Sequence, residues 1–193
     1  MSNAPVFANR GMAVSGHKLA TLEAVRIMQR GGSFMDAGIA ASAVLATALP
    51  QATSLGGDIF MLIHEAKSGA AALNGSGPAP AAAMPEAFPD GIPKKGPRAA
   101  VVPGIVGAWQ AAHERYGRLP WADLFDRAIE VAGNGCPVAP VLAVRIRAEF
   151  ESLAADPGCA EIFLPGGKPL SVGDSLHQPG LAKTLRAIAD GGS

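Results

Sequence analysis

The sequence predicts a mixed α/β fold, and three neighbouring stretches in its first half support that prediction. Residues 37–49 carry only apolar or small side chains, which is typical of a helix buried on all sides, and Pro50 ends it. Ile59–Ile63 is continuously apolar, which is typical of a strand covered on both faces. The loop Ser54–Asp58, which contains two glycines, joins the helix to the strand. We therefore expect the rest of the chain to pack around this unit.

The segment before this unit contains a further helix. Met12–Val14 predicts a short strand, and Ser15 can cap a helix that extends from about residue 17 to residue 30. Apolar residues recur along that helix at helical spacing and give it one wide apolar face. Ser33 and Asp36 then have the spacing of a capping box. This pattern predicts the start of the buried helix and makes Asp36 a cap rather than an acid catalyst.

The segment after the buried strand predicts a return strand and then a long irregular stretch. Residues 67–69 form a turn signal, and Ala70–Leu73 can pair antiparallel with the first strand. Residues 74–80, with the sequence NGSGPAP, contain two glycines and two prolines and predict a shaped loop. A proline-rich run continues to Pro97, and Ala99–Val102 predicts another short strand. An irregular excursion of this kind often borders a binding site.

The second half of the sequence is dominated by helix signals. Predicted helices start after Gly104, at Pro120, at about Val141 and at Pro179, and the third of them extends to Ala154. Residues 162–164 and 170–172 flank a Pro-Gly-Gly sequence and predict a small hairpin. The predicted fold class is therefore α/β with a helix-rich second half.

Composition and charge exclude several function classes. The chain has 193 residues, a formal net charge of zero and no apolar run of the ~20 residues that a membrane span needs, so neither nucleic acid nor membrane is an expected partner. Cys136 and Cys159 form neither a disulfide framework nor a metal-ligand spacing, and no metal or cofactor is expected. The N-terminus lacks the apolar core of a signal peptide, which predicts a cytoplasmic protein. A signal peptide removed during maturation would instead make the protein periplasmic or secreted.

Two loops next to the predicted strand pair are the best candidates for a binding site. The first leaves backbone N–H groups and one carboxylate beside a strand end, and the second is the NGSGPAP loop. The candidate substrate-binding residues are Gly56, Gly57, Asp58, Asn74, Ser76 and Gly77. If the strands pair, the loops either fall at opposite ends of the pair or meet through the proline-rich excursion, and the sequence leaves both arrangements open. Composition alone favours the alternative that both loops are simply tight turns.

Motifs for nucleotide, zinc and serine-hydrolase sites are absent from the sequence. Gly56 and Gly57 precede their strand, whereas a phosphate-binding loop follows a strand and opens a helix. The four histidines are scattered, so structural roles are expected for them. A nucleotide-binding domain therefore ranks below the other interpretations.

Several segments, taken in order, resemble the γ-glutamyltransferase (γ-glutamyltranspeptidase) family. The longest is Gly16–Ala66, GHKLATLEAVRIMQRGGSFMDAGIAASAVLATALPQATSLGGDIFMLIHEA, and it is followed by VVPGIVGAW at Val101–Trp109 and HERYGRLPWADLFDRAIEVAGNG at His113–Gly135. The resemblance covers about residues 11–192. It predicts a flexible lead over residues 1–10 and a partial domain of the family over residues 11–193.

This resemblance implies an N-terminal-nucleophile hydrolase with an αββα sandwich, of which the chain is the N-terminal part of the large subunit. Family members are made as one proenzyme that cuts itself before a threonine, whose hydroxyl becomes the nucleophile and whose free amine can act as base. They act on amide bonds of small molecules, with glutathione metabolism as the family setting. The resemblance implies that this chain contains no catalytic residue, that it is inactive alone, and that its partner is the remainder of the proenzyme.

One position departs from the family pattern. Family enzymes that act on γ-glutamyl groups carry Arg-Glu in the loop after the return strand, and that arginine binds the α-carboxylate of the substrate. Ser76 and Gly77 stand at these positions here, so the bidentate fork is missing. We therefore expect a substrate other than a standard γ-glutamyl compound, such as those of acylases or small-amide hydrolases. The alternative is a catalytically silent scaffold that binds a partner.

Overall fold

A computed structural model describes residues 5–192, except for the side chain of Pro97, and shows a helical body with two short antiparallel sheets. The helices are α1 (Lys18–Gln29), α2 (Phe34–Ala48), α3 (Ile105–Tyr116), α4 (Asp126–Asn134), α5 (Pro140–Ala148), α6 (Phe150–Ala154), α7 (Pro157–Phe163) and α8 (Pro179–Gly191). The strands are β1 (Ile59–Glu65), β2 (Gly69–Gly75), β3 (Cys136–Pro137) and β4 (Ser175–Leu176). β1 pairs with β2, and β3 pairs with β4. The predicted α/β class with a helix-rich second half is confirmed.

The main core surrounds α2, which packs against α1, α3 and α4. Its fully buried side chains include Ile39 and Val44 of α2, Ile27 of α1 and Trp109 of α3. Burying each large apolar side chain contributes about 1.5–3 kcal/mol, so this core is the main source of stability. A second, smaller cluster joins α5 to the segment that leads to β4, and its members include Leu142, Ile146, Leu164, Leu170 and Leu176. Within residues 5–192 there is no helix with the length and apolar character needed to cross a membrane.

The start of α2 is fixed by the predicted capping box. Ser33 Oγ accepts a hydrogen bond from Asp36 N at 3.0 Å, and Asp36 Oδ2 accepts one from Ser33 N at 2.7 Å. The prediction that this helix is buried on all sides is wrong, because Gly38 is exposed and Ala41 is half-buried. Gly38 lines an open cleft of about 370 Å³ between α2 and β1. That part of the helix surface therefore has no packing partner among the described residues.

β1 and β2 form an antiparallel ribbon in which Ile59 pairs with Gly75. Only one face of the ribbon is covered: Ile63 is 6% exposed, whereas Phe60 is 71% exposed and Leu62 is 86% exposed. Side chains alternate between the two faces of a strand, and the helical core packs against the Ile63 side. The prediction of a strand covered on both faces is therefore wrong for the described part of the chain. We call the side that carries Phe60 and Leu62 the bare face.

β2 continues further along the chain than the sequence predicts. Asn74 and Gly75 both belong to the ladder with β1, so the NGSGPAP sequence starts as strand instead of loop. The strand stops before Pro78, a residue that has no N–H to donate to a ladder. The loop proper therefore begins at Ser76.

Two other predicted strands are absent from residues 5–192. Met12–Val14 has no ladder partner, and Val14 is 87% exposed. Ala99–Val102 follows a 3₁₀ turn at Pro97–Ala99 and also pairs with no strand. An apolar run becomes a strand only where a neighbouring strand completes its backbone hydrogen bonds, and neither segment has such a neighbour.

The helix predicted from about Val141 to Ala154 is divided into α5 and α6. The division lies at Glu149, where the backbone has φ −104° and ψ 17°. Glu149 N still donates to Arg145 O at 3.0 Å, so the chain bends at this residue without losing contact with the end of α5. The apolar residues that predicted one helix are therefore distributed over two consecutive helices, α5 and α6.

The hairpin predicted from residues 162–164 and 170–172 is wrong. Asp156 Oδ1 accepts a hydrogen bond from Cys159 N at 2.8 Å and caps α7, so the apolar residues that follow are helical. The short ladder in this part of the chain joins β3 to β4 instead. The sequence carries a capping signal at Asp156 that outweighs the turn signal of the Pro-Gly-Gly sequence.

The helix predicted from about residue 17 to residue 30 is present as α1, with a different cap. His17 is the N-cap, and its Nδ1 accepts a hydrogen bond from Leu19 N at 3.3 Å. Ser15, the predicted cap, instead donates from its hydroxyl to His17 O at 2.8 Å. Burial, and secondarily the charge of Lys18, lower the pKa of His17. The lowered pKa favours the neutral ring, which is the form that can accept at Nδ1.

Candidate functional site

The two candidate loops meet at one end of the β1–β2 ribbon. Antiparallel pairing brings the start of β1 next to the end of β2, because Ile59 pairs with Gly75. Asp58 Oδ1 accepts a hydrogen bond from Gly77 N at 2.9 Å and bridges the loops directly. Neither arrangement left open by the sequence is therefore correct: the loops do not lie at opposite ends, and they do not need the proline-rich excursion to meet.

The segment that leads into α3 completes this end of the ribbon. Gly57 O accepts hydrogen bonds from Gly104 N at 3.2 Å and from Ile105 N at 3.1 Å. Val102 N donates to Pro78 O at 3.0 Å, which closes the proline-rich excursion at its base. We call the three segments Gly56–Asp58, Asn74–Pro78 and Val102–Ile105 together the loop junction.

Glycine is required where the backbones of the loop junction touch. A Cβ atom added to Gly77 would lie 1.3 Å from Val102 O, and one added to Gly104 would lie 2.3 Å from Gly75 O. A Cβ atom on Gly75 would lie 2.5 Å from the Cβ of Ala108. Since real Cβ atoms do not approach other atoms so closely, these glycines allow the segments to pack backbone against backbone. Gly77, predicted to shape a pocket, thus has a packing role.

The polar side chains of the second loop bind each other. Ser76 N donates to Asn74 Oδ1 at 3.0 Å, and the Ser76 hydroxyl donates to the same oxygen. Asn74 and Ser76 are both exposed, so this pair remains accessible. The side-chain contact fixes the direction of both groups at the end of β2.

The junction lies at one end of the bare face. Alternation places Asn74 on the same side of the ribbon as its partner Phe60 and as Leu62. Asp58 directly precedes β1 and Ser76 directly follows β2, so both lie at this end of the ribbon. Asp58 is exposed, as are Phe60 and Leu62. The bare face therefore ends in a polar edge at the loop junction.

The remaining candidates, Gly56 and Gly57, lie on the approach to β1. Gly57 and Asp58 line a cleft of about 300 Å³ whose other wall is the turn after α2, residues 50–54. Gly56 is exposed, and a Cβ atom there would meet only Ser54 Oγ, at 3.9 Å. The structure thus brings five of the six candidates into contact at the junction and leaves Gly56 at its margin.

Two of the three basic residues around the proline-rich excursion, Lys95 and Arg98, have partners away from the junction. Lys95 forms an ion pair with Glu149, and that hydrogen bond together with the charge of Lys95 lowers the pKa of Glu149. Arg98 donates to the backbone carbonyl of Ala87 and lies over the ring of Phe88, with 4.8 Å between its Cζ and the ring centroid. Among residues 5–192, no lysine or arginine forms a hydrogen bond or ion pair with Asp58, Asn74 or Ser76. In the same residues, no three His, Cys, Asp or Glu side chains gather as metal ligands.

Sequence reasoning included Gly75 within the Asn74–Gly77 loop but missed Val102 and Gly104 as parts of this site. The available signal was the Pro-Gly pair in VVPGIVGAW, since a glycine that opens a helix allows another backbone to approach closely. Gly75 and Gly104 are far apart in the sequence, so no local pattern predicts their contact. Strand pairing places Gly75 beside Ile59, and Gly104 N bonds to the nearby Gly57 O.

Comparisons with known proteins agree with this architecture. A family model described as Gamma-glutamyltranspeptidase matches residues 20–193. The glutathione hydrolase-like YwrD proenzyme of Bacillus subtilis (strain 168) is 37% identical over 194 residues, which cover 98% of this chain and 37% of that protein. The oxamate amidohydrolase proenzyme of Klebsiella pneumoniae subsp. pneumoniae is 38% identical, with 96% of this chain and 37% of that protein covered.

The fold comparison leads to the same family. The structure superposes on Helicobacter pylori γ-glutamyltranspeptidase with a TM-score of 0.86 at 29% identity, over 97% of this chain and 56% of that chain. This likeness confirms the predicted fold of an N-terminal-nucleophile hydrolase. The chain spans about 37% of the length of the two curated relatives. The match of the family model over most of the sequence shows that the chain belongs to the γ-glutamyltranspeptidase family.

Proposed function

We propose that this chain is the N-terminal part of a self-processing amide hydrolase or acyltransferase whose nucleophilic threonine lies outside residues 1–193. Support comes from the two relatives described above, which are both named as proenzymes and of which this chain covers about 37%. In such an enzyme the threonine hydroxyl attacks the amide carbonyl, the amine leaves, and a covalent acyl-enzyme forms. Water or a second amine then takes the acyl group.

The remainder of the proenzyme is proposed to pack on the bare face. Phe60 and Leu62 are 71% and 86% exposed, and burying such side chains contributes about 1.5–3 kcal/mol each. The loop junction borders this face, so a partner on the face turns the junction into one wall of an enclosed pocket. That position suits a substrate site at the boundary between the two parts of the protein.

The proposed substrate is an amide without the standard γ-glutamyl head group. The observation that carries this proposal is the absence of a cation from the junction in residues 5–192, since Ser76 occupies the position where the resemblance places a carboxylate-binding arginine. Charge-assisted hydrogen bonds contribute ~1.5–3 kcal/mol, against ~1 kcal/mol for neutral ones. Without the arginine, carboxylate binding is expected to be roughly 10–100-fold weaker, at about 1.4 kcal/mol per factor of ten. The name of the Klebsiella relative, an amidohydrolase of oxamate, also supports a small amide.

The test compares kcat/KM for a γ-glutamyl anilide with kcat/KM for simple acyl anilides and oxo-amides, in the complete processed protein. We expect the wild type to prefer the substrates without a γ-glutamyl head. Ser76→Arg should raise the relative γ-glutamyl kcat/KM roughly 10–100-fold, whereas Ser68→Arg, which adds the same charge at the opposite end of the ribbon, should not. Efficient γ-glutamyl turnover by the wild type, undiminished after Lys94, Lys95 and Arg98 are neutralised, would contradict the proposal.

Residues 1–193 alone are proposed to have no amidase activity, because the nucleophile is absent from them. The purified chain should release neither ammonia nor p-nitroaniline from any amide, while its circular dichroism shows folded helix. Turnover that survives rigorous purification would show that a nucleophile lies within the chain. A complete protein that folds but neither cuts itself nor hydrolyses amides would instead favour the silent scaffold.

A further inference from the structure

We propose that the loop junction binds a primary carboxamide group of the substrate through Asp58, Asn74 and Ser76, and that it disfavours a carboxylate at the same place. The proposal rests on the function proposed above, because it assigns the polar edge of the junction to the substrate of an amide hydrolase. It adds the chemical class of the group that is recognised.

Asp58 supplies an oriented acceptor. Its Oδ1 accepts from Gly77 N at 2.9 Å, and this bond fixes the carboxylate at the start of β1. Within residues 5–192 its Oδ2 has no hydrogen-bond or ion-pair partner, and the side chain is exposed. An ionised carboxylate accepts hydrogen bonds and cannot donate them. The unoccupied oxygen therefore attracts an N–H group and repels an anion.

Ser76 supplies a second acceptor, and Asn74 supplies a donor. Because Ser76 N donates to the Asn74 side chain at 3.0 Å, the atom it meets must be the amide oxygen and not the NH₂ group. The Ser76 hydroxyl also approaches that oxygen and must donate its only proton there. Ser76 Oγ can therefore act towards a ligand only as a hydrogen-bond acceptor. The Asn74 Nδ2, which has no partner in the described residues, keeps two N–H donors.

The strand register brings these groups within reach of one small ligand group. Phe60 pairs with Asn74 and Ile59 with Gly75, so Asp58 and Ser76 are the residues next to the last pair of the ladder. The hydrogen bond from Gly77 N to Asp58 Oδ1 at 2.9 Å holds the two segments together just beyond it. Side chains opposite each other on one face have Cβ atoms about 4.5–5.5 Å apart. The junction thus presents two acceptors and one donor side by side, next to the apolar surface of the bare face.

A primary carboxamide complements this set. Its NH₂ group can donate to Asp58 Oδ2 and Ser76 Oγ, and its carbonyl oxygen can accept from Asn74 Nδ2. A carboxylate of the same size finds only the Asn74 donor and is repelled by the charge of Asp58. Of the three basic residues nearby in the chain, Lys95 and Arg98 have their own partners elsewhere. The third, Lys94, forms no ion pair or hydrogen bond with Asp58, Asn74 or Ser76 in residues 5–192.

The experiment uses three 4-nitroanilides of equal length that end in a carboxamide, a carboxylate or a methyl group: those of glutaramic acid, glutaric acid and pentanoic acid. The complete processed protein should hydrolyse the carboxamide with a kcat/KM at least about 10-fold above that of the carboxylate. In Asp58→Asn the side-chain oxygen can still accept from Gly77 N, but an NH₂ group replaces the unoccupied oxygen. This variant should lower the carboxamide-to-carboxylate ratio about 10–100-fold. Asp190→Asn, which removes the same charge from an exposed position on α8, should leave the ratio unchanged.

The methyl-ended anilide separates the two possible failures. If the wild type hydrolyses it but shows no carboxamide preference, or if Asp58→Asn keeps the wild-type preference, the inference is wrong and the proposed function stands. If a correctly processed protein hydrolyses none of the three, the proposed function is wrong and the inference is wrong with it. Thermal unfolding shows whether Asp58→Asn folds. If it does not, Ser76→Ala removes one acceptor and must lower the same ratio severalfold for the inference to hold.

Discussion

Two aspartates of this protein hold loops through backbone N–H groups, yet they differ in how completely their oxygens are used. Asp36 at the start of α2 is 0% exposed and accepts hydrogen bonds from the N–H groups of Ser33, Arg118 and Leu119 at 2.7–3.2 Å from its Oδ2. His113 Nε2 lies 3.6 Å from its Oδ1. This carboxylate thereby connects the end of α3 to the start of α2 and has no access to a ligand.

Asp58 uses the same chemistry with a different result. It is exposed and accepts from one backbone N–H, that of Gly77 at 2.9 Å, so one oxygen stays open to solvent. Asp36 serves the fold alone, whereas Asp58 fixes a loop and still presents an acceptor. A candidate binding residue is therefore recognised by donors or acceptors that have no partner within the folded chain. Residue type alone does not distinguish Asp58 from Asp36.

The largest expected effect comes from removing the two carboxylates in turn. Asp36→Ala leaves the N–H groups of Ser33, Arg118 and Leu119 without this acceptor. A buried unsatisfied group costs about 1–3 kcal/mol, and exposed Arg118 can bind water instead, so we expect a loss of about 3–5 kcal/mol in the free energy of unfolding. Asp58→Ala removes one bond at an exposed site and should cost about 1 kcal/mol. Urea unfolding of both variants measures the difference. If both variants lose the same free energy of unfolding, the two carboxylates contribute equally to stability and the proposed difference between them is wrong.

A smaller effect is expected from a single methyl group at the loop junction. Gly77→Ala places a Cβ atom 1.3 Å from Val102 O, so the segments must move apart and should lose about 1–3 kcal/mol of stability. Gly56→Ala, on the same approach to β1, has its nearest neighbour at 3.9 Å and is the matched control, with an expected change within about 0.5 kcal/mol. Chemical denaturation again provides the measurement. A neutral Gly77→Ala would show that the junction is looser than its backbone contacts indicate.

The sequence predicts the local parts of this structure better than the contacts between distant parts. The Ser33–Asp36 capping box and the start of α8 at Pro179 are encoded within a few residues, and both are present. The role of Gly77 depends on Val102, 25 residues further along the chain, and no local pattern reports that contact. The same reason explains Ile59–Ile63: its residues predict a strand, but whether both faces are covered depends on elements that the strand itself does not specify.

The candidate site shows the same division. Asp58, Asn74, Ser76 and Gly77 follow from turn chemistry and from the family resemblance, and the structure brings them together. The use of the Ser76 hydroxyl proton by Asn74 did not follow from the sequence, because an isolated serine can donate as well as accept. Only the contact with Asn74 shows that Ser76 Oγ acts as an acceptor here. That role is one basis of the carboxamide preference proposed for the junction.

The smallest expected effect concerns His17, a third loop-holding acceptor that is buried like Asp36 but can lose its acceptor by protonation. Its Nδ1 accepts from Leu19 N at the start of α1, and burial lowers its pKa below the unfolded value of about 6.5. In the pH window between the lowered pKa and about 6.5 the unfolded chain binds the proton more readily, so stability increases with pH there and is lost on acidification. Asparagine is a good N-cap that does not titrate, so His17→Asn should remove up to about 1 kcal/mol of the stability loss between about pH 7.5 and pH 5.5. Urea unfolding of wild type and His17→Asn at several pH values measures the difference in their pH dependence. The contributions of the other three histidines cancel, because both proteins contain them. If wild type and His17→Asn lose stability in parallel, the pH dependence originates elsewhere.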